Sequence, residues 1–285
     1  MLLLSLISIL LYGAGSALLL FEILHVSGKI ARYATGFLLA GFGLDTFTLI
    51  ESFARAIMSS RLPVTSPSDI YGLLGWVCMG IVVLMRLKFR FPAVTGFFAP
   101  AGFALAAVAF FLPGGREPVE ANLPGFLYAL HIAMVFMSLG IFGLAFVAAL
   151  FYLLVHRELK TKRFGKIFLV LPPLDTLDHL TVRALVLGVV LLTLGIVSGI
   201  YLAHAEWRKD WVTNPKFLFS IATWIWYVLL LSVRRFAGWR GGQFFALIVV
   251  AFGLLLVTFL GVTAFFPTPA RRPLAGIMGI AAWKS

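Results

Sequence analysis

Residues 127–155 read LYALHIAMVFMSLGIFGLAFVAALFYLLV, a stretch that contains no Asp, Glu, Lys or Arg. An α-helix rises 1.5 Å per residue, so about 20 apolar residues cross the ~30 Å hydrocarbon core of a bilayer. This stretch therefore predicts a transmembrane helix. Similar stretches recur along the chain, and we predict eight spanning helices, at residues 2–24, 31–50, 70–87, 92–112, 127–155, 182–203, 217–233 and 244–265.

The composition of the whole chain agrees with this prediction. Of its 285 residues, 61% are hydrophobic and 12% are charged, and the mean hydropathy is +1.04. Soluble domains are about 45–50% apolar with about 25% charged residues. We therefore expect one all-α domain over residues 1–285, a multi-pass bundle in the inner (plasma) membrane with the lipid bilayer as its surroundings. The single cysteine, Cys78, excludes a disulfide framework and is assigned no redox chemistry.

The basic residues predict the orientation. The connections after the first, third, fifth and seventh predicted helices hold 14 Lys and Arg, and the opposite side with the C-terminal tail holds nine. Cytoplasmic loops carry the excess of basic residues. We therefore predict that residues 157–183 are cytoplasmic and that the N-terminus and C-terminus both lie outside. The basic residues beside the membrane helices account for the net charge of +12, so we expect no nucleic-acid partner.

Ionisable side chains inside a bilayer are costly, so each one is a candidate site. Asp45 lies about 21 Å into the second predicted helix, in the outer third of the membrane. His131 lies near the start of the fifth helix, at a similar depth on the same side. We predict that Asp45 and His131 lie within one helix diameter of each other, so that the carboxylate orients the imidazole for metal binding. The alternatives are an Asp satisfied by a hydrogen bond and a His that bonds a backbone carbonyl.

The predicted outer loop after the sixth helix carries two tryptophans, Trp207 and Trp211, and His204 ends that helix. If the loop is helical, the two rings lie four residues apart and share a face. With His131 they would form a flat apolar pocket with one nitrogen ligand, which suits a planar cofactor such as haem. An interfacial aromatic belt is the alternative.

Two glycines of the sixth helix, Gly195 and Gly199, form a small-xxx-small pair. Pairs of this kind let two membrane helices approach closely. They predict tight packing of the sixth helix and indicate no chemistry.

The segment at residues 207–216, WRKDWVTNPK, resembles the tryptophan-rich signature W-G-x-x-W-x-W-D-P-K-E of the cytochrome c assembly family. The resemblance covers residues 125–265 well and the first 120 residues loosely. It agrees with the small CcsA-like and HemX-like members of the family. Other stretches that fit are LPPLDTLD at 171–178, LTLGIVSG at 192–199, SIATWIWY at 220–227 and GWRG at 238–241.

The resemblance implies that the chain handles haem at the outer face of the membrane. In the family, the tryptophan-rich loop holds the porphyrin and flanking histidines bind the iron. The implied cofactor-binding residues that match are His131, Trp207, Trp211, Pro215 and Lys216, with His131 as the iron ligand, and Asn214 at the place of the signature's Asp is a further candidate.

The sequence also departs from the family pattern. Thr213, Asn214 and Phe217 replace a Trp, an Asp and a Glu of the signature, and Ser232 replaces a histidine at the end of the seventh helix. The segment 262–269 lacks the family's histidine, and Asp45 stands about where many members have one. Three of four expected ligands are therefore absent. His204 is the candidate for a substitute second ligand.

Three functions fit these observations. The first is a haem-handling subunit of c-type cytochrome biogenesis, more a binding or transfer subunit than a self-sufficient enzyme, with a membrane partner subunit and apocytochrome c as partners. The second is a HemX-like regulatory or scaffold protein that does not bind haem. The third is a bundle that binds a quinone or another small solute.

Overall fold

The computed structural model describes residues 2–24, 28–59, 62, 64, 66–89, 91–112, 125–162, 171–207, 210–239 and 241–265. Within these ranges the chain forms eight α-helices, and a short 3₁₀ helix, Asp210–Thr213, lies between the sixth and seventh. The helices are α1 (Leu2–Leu24), α2 (Gly28–Met58), α3 (Pro67–Lys88), α4 (Pro92–Phe111), α5 (Gly125–Thr161), α6 (Leu174–Trp207), α7 (Pro215–Phe236) and α8 (Gly242–Phe265).

The predicted all-helical architecture is confirmed, and each predicted segment agrees with an observed helix. The helices α1 to α7 are long and apolar enough to cross a bilayer, and α8 is apolar over Gly242–Leu256. The eighth crossing and the outward position of both termini stay predictions.

Two helices extend well past their predicted boundaries. α2 continues to Met58 and α6 begins at Leu174, eight residues beyond the apolar segment in each case. The added turns carry charged residues, which lower the hydropathy without interrupting the helix. Glu51 and Arg55 pair at 3.0 Å one turn apart, and such pairs stabilise helix ends.

The longest helix, α5, lies at the centre of the bundle. It packs most extensively against α6 and also contacts α2, α3, α4 and α8, while α1 packs between α2 and α4. Small residues bring these helices together: a Cβ at Gly188 of α6 would lie only 2.5 Å from Cε1 of Phe142 on α5. Close approach through small residues is typical of membrane helix pairs.

Buried side chains form two adjoining cores on either side of α5. One core joins α1 to α4 with α5 and the start of α6, and the other joins α5 with α6, α7, α8 and the first half of α3. In the second core, the ring of Phe142 stacks on Tyr227 of α7 with centroids 3.8 Å apart. Tyr152 stacks on Phe245 of α8 at 3.6 Å.

Consecutive helices run in alternating directions, so their ends gather at two ends of the bundle. At one end, Ser68 Oγ donates to the carbonyl oxygen of Ala109 at 2.8 Å. At the other, Arg86 pairs with Glu22 at 3.0 Å and Arg234 pairs with Asp178. We call the first the tryptophan end, defined by the helix termini Met58, Pro67, Phe111, Gly125, Trp207 and Pro215. We call the second the basic end, defined by Leu24, Gly28, Lys88, Pro92, Thr161, Leu174, Phe236 and Gly242.

Candidate functional site

The imidazole of His131 is held by the backbone of a neighbouring helix. His131 lies six residues after the start of α5, near the tryptophan end. Its Nδ1 is 2.9 Å from the carbonyl oxygen of Gly195 and 3.1 Å from Oγ of Ser198, both on α6. A carbonyl oxygen only accepts hydrogen bonds, so we assign the ring proton to Nδ1. The neutral ring then has its lone pair on Nε2, which is the form that binds a metal ion.

Ser198 fits the same assignment. Its hydroxyl lies 2.9 Å from the carbonyl oxygens of both Leu194 and Gly195, to which it donates. The serine oxygen is then an acceptor toward Nδ1 of His131. Both partners of Nδ1 therefore favour one tautomer and one ring orientation.

Gly199 makes room for the ring. A Cβ at this position would lie 2.8 Å from Cε1 and 3.3 Å from Nδ1 of His131. One turn earlier, a Cβ at Gly195 would lie 2.9 Å from Cγ2 of Val135. The small-xxx-small pair thus allows the close packing that the sequence predicts, and it also lets α6 approach the candidate ligand.

Asp45 has a different partner from the one expected. Its Oδ2 accepts a hydrogen bond of 3.0 Å from the hydroxyl of Tyr12, which is completely buried between α1 and α2. Among the described residues no hydrogen bond joins Asp45 to His131, and Gly195 and Ser198 take the orienting role that we expected of the carboxylate. Asp45 instead borders a cavity of about 390 Å³ at the tryptophan end, beside Ser8 and other polar side chains.

His204 lies away from His131. It is exposed in the last turn of α6. Each residue of an α-helix turns by about 100°, so His204 lies about 180° around α6 from the face formed by Gly195, Ser198 and Gly199. The structure therefore brings His131 onto α6 but does not bring the two histidines together.

The tryptophan-rich segment does not form one continuous helix. α6 ends at Trp207, and Trp211 lies in the separate 3₁₀ helix. The expectation that the two rings share one face of an α-helix therefore does not apply, because the α-helical repeat stops between them. The side chains of Trp207 and Trp211 lie outside the described part of the structure.

Asn214 and Pro215 begin α7. Asn214 is the N-cap, and its Oδ1 accepts a hydrogen bond of 2.9 Å from the backbone N–H of Lys216. Pro215 occupies the first helical position, where its missing N–H costs nothing. These residues fix where the tryptophan-rich segment turns back into the bundle. Lys216 lies half-buried in the first turn.

Sequence reasoning did not identify Ser198, Thr193 or Trp224 as parts of this region. Nε1 of Trp224 on α7 donates to Oγ1 of Thr193 on α6 at 2.8 Å, which ties α7 to the helix that holds His131. The signal was available, because these residues lie in the stretches LTLGIVSG and SIATWIWY that resemble the family.

Comparison with known proteins decides the family. Residues 67–268 match the family model described as Cytochrome C assembly protein. The chain belongs to this family. The match begins at the first residue of α3, whereas the sequence led us to expect a good match only from residue 125. It includes His131, Ser198 and Gly199 and leaves Asp45 outside.

Relatives carry two names. Protein HemX of Brevibacillus brevis is 29% identical over 260 residues, which cover 90% of this chain and 94% of that protein. The cytochrome c biogenesis protein CcsA of Prochlorococcus marinus is 26% identical over 237 residues, which cover 75% of this chain and 76% of that protein. CcsA of Synechococcus elongatus is 38% identical over 88 residues, or 31% of this chain and 27% of that protein.

Proposed function

We propose that this chain binds haem at the tryptophan end of its bundle and passes it on during c-type cytochrome biogenesis, with Nε2 of His131 as the iron ligand. The observation that carries the proposal is the contact of Nδ1 with the carbonyl of Gly195 and the hydroxyl of Ser198. Histidines that bind metals usually donate their second ring N–H to such an acceptor.

The donor set fits haem iron. A neutral imidazole whose proton lies on Nδ1 offers one nitrogen lone pair, and histidine is a common axial ligand of haem. His131 is partly exposed, and Nε2 has no hydrogen-bond partner among the described residues. Bound haem would supply the iron and the vinyl groups that become attached to a cytochrome.

The tryptophan-rich segment would provide the second contact surface. Trp207 and Trp211 would stack on the porphyrin, and Lys216 would lie where a cation can meet its carboxylates. Asn214 and Pro215 would act indirectly, because they cap α7 and set the position of the segment.

A site with one histidine suits transfer. The geometry of α6 turns His204 away from His131, so the described residues offer one histidine nitrogen at the site we propose. A second axial ligand would come from water, from a membrane partner subunit or from apocytochrome c. We propose accordingly a binding and transfer subunit in the plasma membrane, with the tryptophan end outside.

Absorption spectroscopy of the purified chain tests the proposal. Haem added to the wild-type protein in detergent should give the Soret band of a histidine complex at one haem per chain. We expect His131→Ala to remove that band and the matched variant His204→Ala to retain it. Loss of the band in His204→Ala alone, or an unchanged band in His131→Ala, would contradict the assignment of the ligand.

A HemX-like scaffold that does not bind haem is the second candidate. The high coverage of Protein HemX by this chain favours it, as does the hydrogen bond that occupies Asp45. In this case the packing of α5 on α6 through Gly195 and Gly199 would be the preserved feature. A wild-type protein that acquires no Soret band at micromolar haem, yet folds normally, would favour the scaffold over the haem site.

A further inference from the structure

A groove runs along one side of the bundle between α3 and α6. Within the described residues these two helices pack on α5 but not on each other, so α5 forms the floor. The groove has a volume of about 680 Å³ and is lined mostly by apolar side chains. Leu84 on α3, Met137 on α5 and Leu187 on α6 line it and are 47%, 42% and 51% exposed. The groove is therefore open on the side that would face the bilayer.

The end of the groove that lies farther from the basic end accepts only apolar groups. Phe42 and Trp76 line it and stack with ring centroids 5.5 Å apart. The indole N–H of Trp76 already donates to Oγ1 of Thr46 at 2.8 Å. The aromatic pair therefore presents ring surface to the groove and offers no donor to a polar ligand.

The other end of the groove is charged. Asp175, His179 and Arg183 line it, one turn apart along α6. Asp175 pairs with His179 at 3.6 Å. Arg183 lies two turns from Asp175, about 12 Å along the helix, and has no acidic partner among the described residues. The parts of the sequence between the helices that fall outside the described ranges, 25–27, 90, 163–170 and 240, contain no Asp or Glu.

The acids around this end are already engaged. Glu22 pairs with Arg86, and Asp178 pairs with Arg234. Among the described residues, the basic end holds ten Lys and Arg against four acids, Glu22, Glu158, Asp175 and Asp178. Arg183 is an exposed cation at the charged end of an apolar groove, and a basic residue beside a membrane helix attracts an anionic headgroup. The charge balance indicates that this anion comes from outside the chain.

We propose that the groove binds one molecule of an anionic phospholipid, with an acyl chain between α3 and α6 and the phosphate on Arg183. From Trp76 to Phe89, the C-cap of α3, the groove follows a rise of 13 residues, or about 20 Å, slightly more than one leaflet of a ~30 Å hydrocarbon core. Basic residues beside membrane helices attract anionic headgroups. This site is separate from the haem site and does not depend on it.

Native mass spectrometry of the full chain in detergent tests the proposal. The probes are dioleoylphosphatidylglycerol and dioleoylphosphatidylcholine, which share acyl chains and differ in net charge. We expect one phosphatidylglycerol per wild-type chain, retained at least about fivefold better than phosphatidylcholine, the factor that one basic residue contributes. Arg183→Gln should reduce this preference to below about twofold. The matched variant Arg157→Gln, an exposed basic residue outside the groove, should keep it.

A second pair of variants tests the acyl-chain position. Met137→Trp adds bulk to the floor and should lower retention of both lipids, whereas Leu194→Trp, at an exposed position outside the groove, should not. Equal retention of the two lipids by the wild-type protein would overturn the proposal, whatever the variants do. So would equal behaviour of Arg183→Gln and Arg157→Gln, or release of one phosphatidylglycerol for each haem bound.

Discussion

Asp45 of the α1–α2 pair and His131 of the α5–α6 pair are ionisable residues on apolar helices, and they differ in how their polar atoms are paired. Asp45 receives its hydrogen bond from a buried tyrosine side chain. His131 uses one ring nitrogen toward the backbone and hydroxyl of α6 and keeps the other nitrogen available. A satisfied carboxylate stabilises a helix pair, whereas a half-satisfied imidazole can still bind a ligand.

The family match divides the molecule along the same line. It begins at α3, so it includes α5 and α6 and leaves α1 and α2 outside. We therefore propose a structural role for Asp45 and a ligand role for His131. Variants of the two pairs should separate stability from haem binding.

Among the variants that keep His131, the largest effect should come from Gly199→Ala. The new Cβ would lie 2.8 Å from Cε1 of His131, so the ring or α6 must move. We expect haem affinity to fall about 10- to 100-fold, the range for groups that orient a metal ligand. Haem titration monitored at the Soret band measures this.

Gly36→Ala is the matched control, because a Cβ at Gly36 would meet no atom within 4 Å. Its haem affinity should equal that of the wild type. If the two variants bind haem equally well, the position of the His131 ring does not affect haem binding, which would contradict the proposed role of the α5–α6 pair.

Removing the hydroxyl in Tyr12→Phe should affect stability and not haem. Oδ2 of Asp45 would lose its donor inside the bundle, which costs about 1–3 kcal/mol. Thermal unfolding in detergent should show the loss, with an unchanged Soret band. Tyr33→Phe, at an exposed position on α2, should leave both unchanged. A shifted Soret band in Tyr12→Phe would instead connect the α1–α2 pair to the haem site.

Ser198→Ala should have the smallest effect on haem. Nδ1 of His131 would lose one acceptor and keep the carbonyl of Gly195. One hydrogen bond contributes about 0.5–1.5 kcal/mol, so haem affinity should fall by about two- to tenfold. Ser232→Ala removes a comparable hydroxyl that bonds the backbone of α7, and it should not change the affinity. A loss as large as that of Gly199→Ala would mean that the serine, and not the carbonyl, holds the ring.

The helices could be predicted from the sequence because length and hydropathy decide which segments cross a bilayer. Their charged ends could not, since the turns after residue 50 and before residue 182 resemble loops in hydropathy. The hydrogen-bond partners also escaped prediction. Tyr12 is 33 residues from Asp45, and Gly195 is 64 residues from His131. Such pairings depend on which faces of two helices meet.

The place of His204 shows the same limit. The sequence correctly puts it at the end of the sixth helix, three residues before Trp207. Whether it faces His131 depends on the face of α6 that packs on α5. Gly195 and Gly199 mark that face, and their spacing could have excluded His204 from it once α5 was recognised as the partner.

The proposed haem site depends on Nε2 of His131 as the ligand of the iron. The spectrum of His131→Gly with one equivalent of haem, recorded before and after imidazole is added, tests this role. We predict that the variant lacks the Soret band of the wild type and regains it with imidazole, which fills the vacated position. A variant that shows the wild-type band without imidazole would contradict the claim.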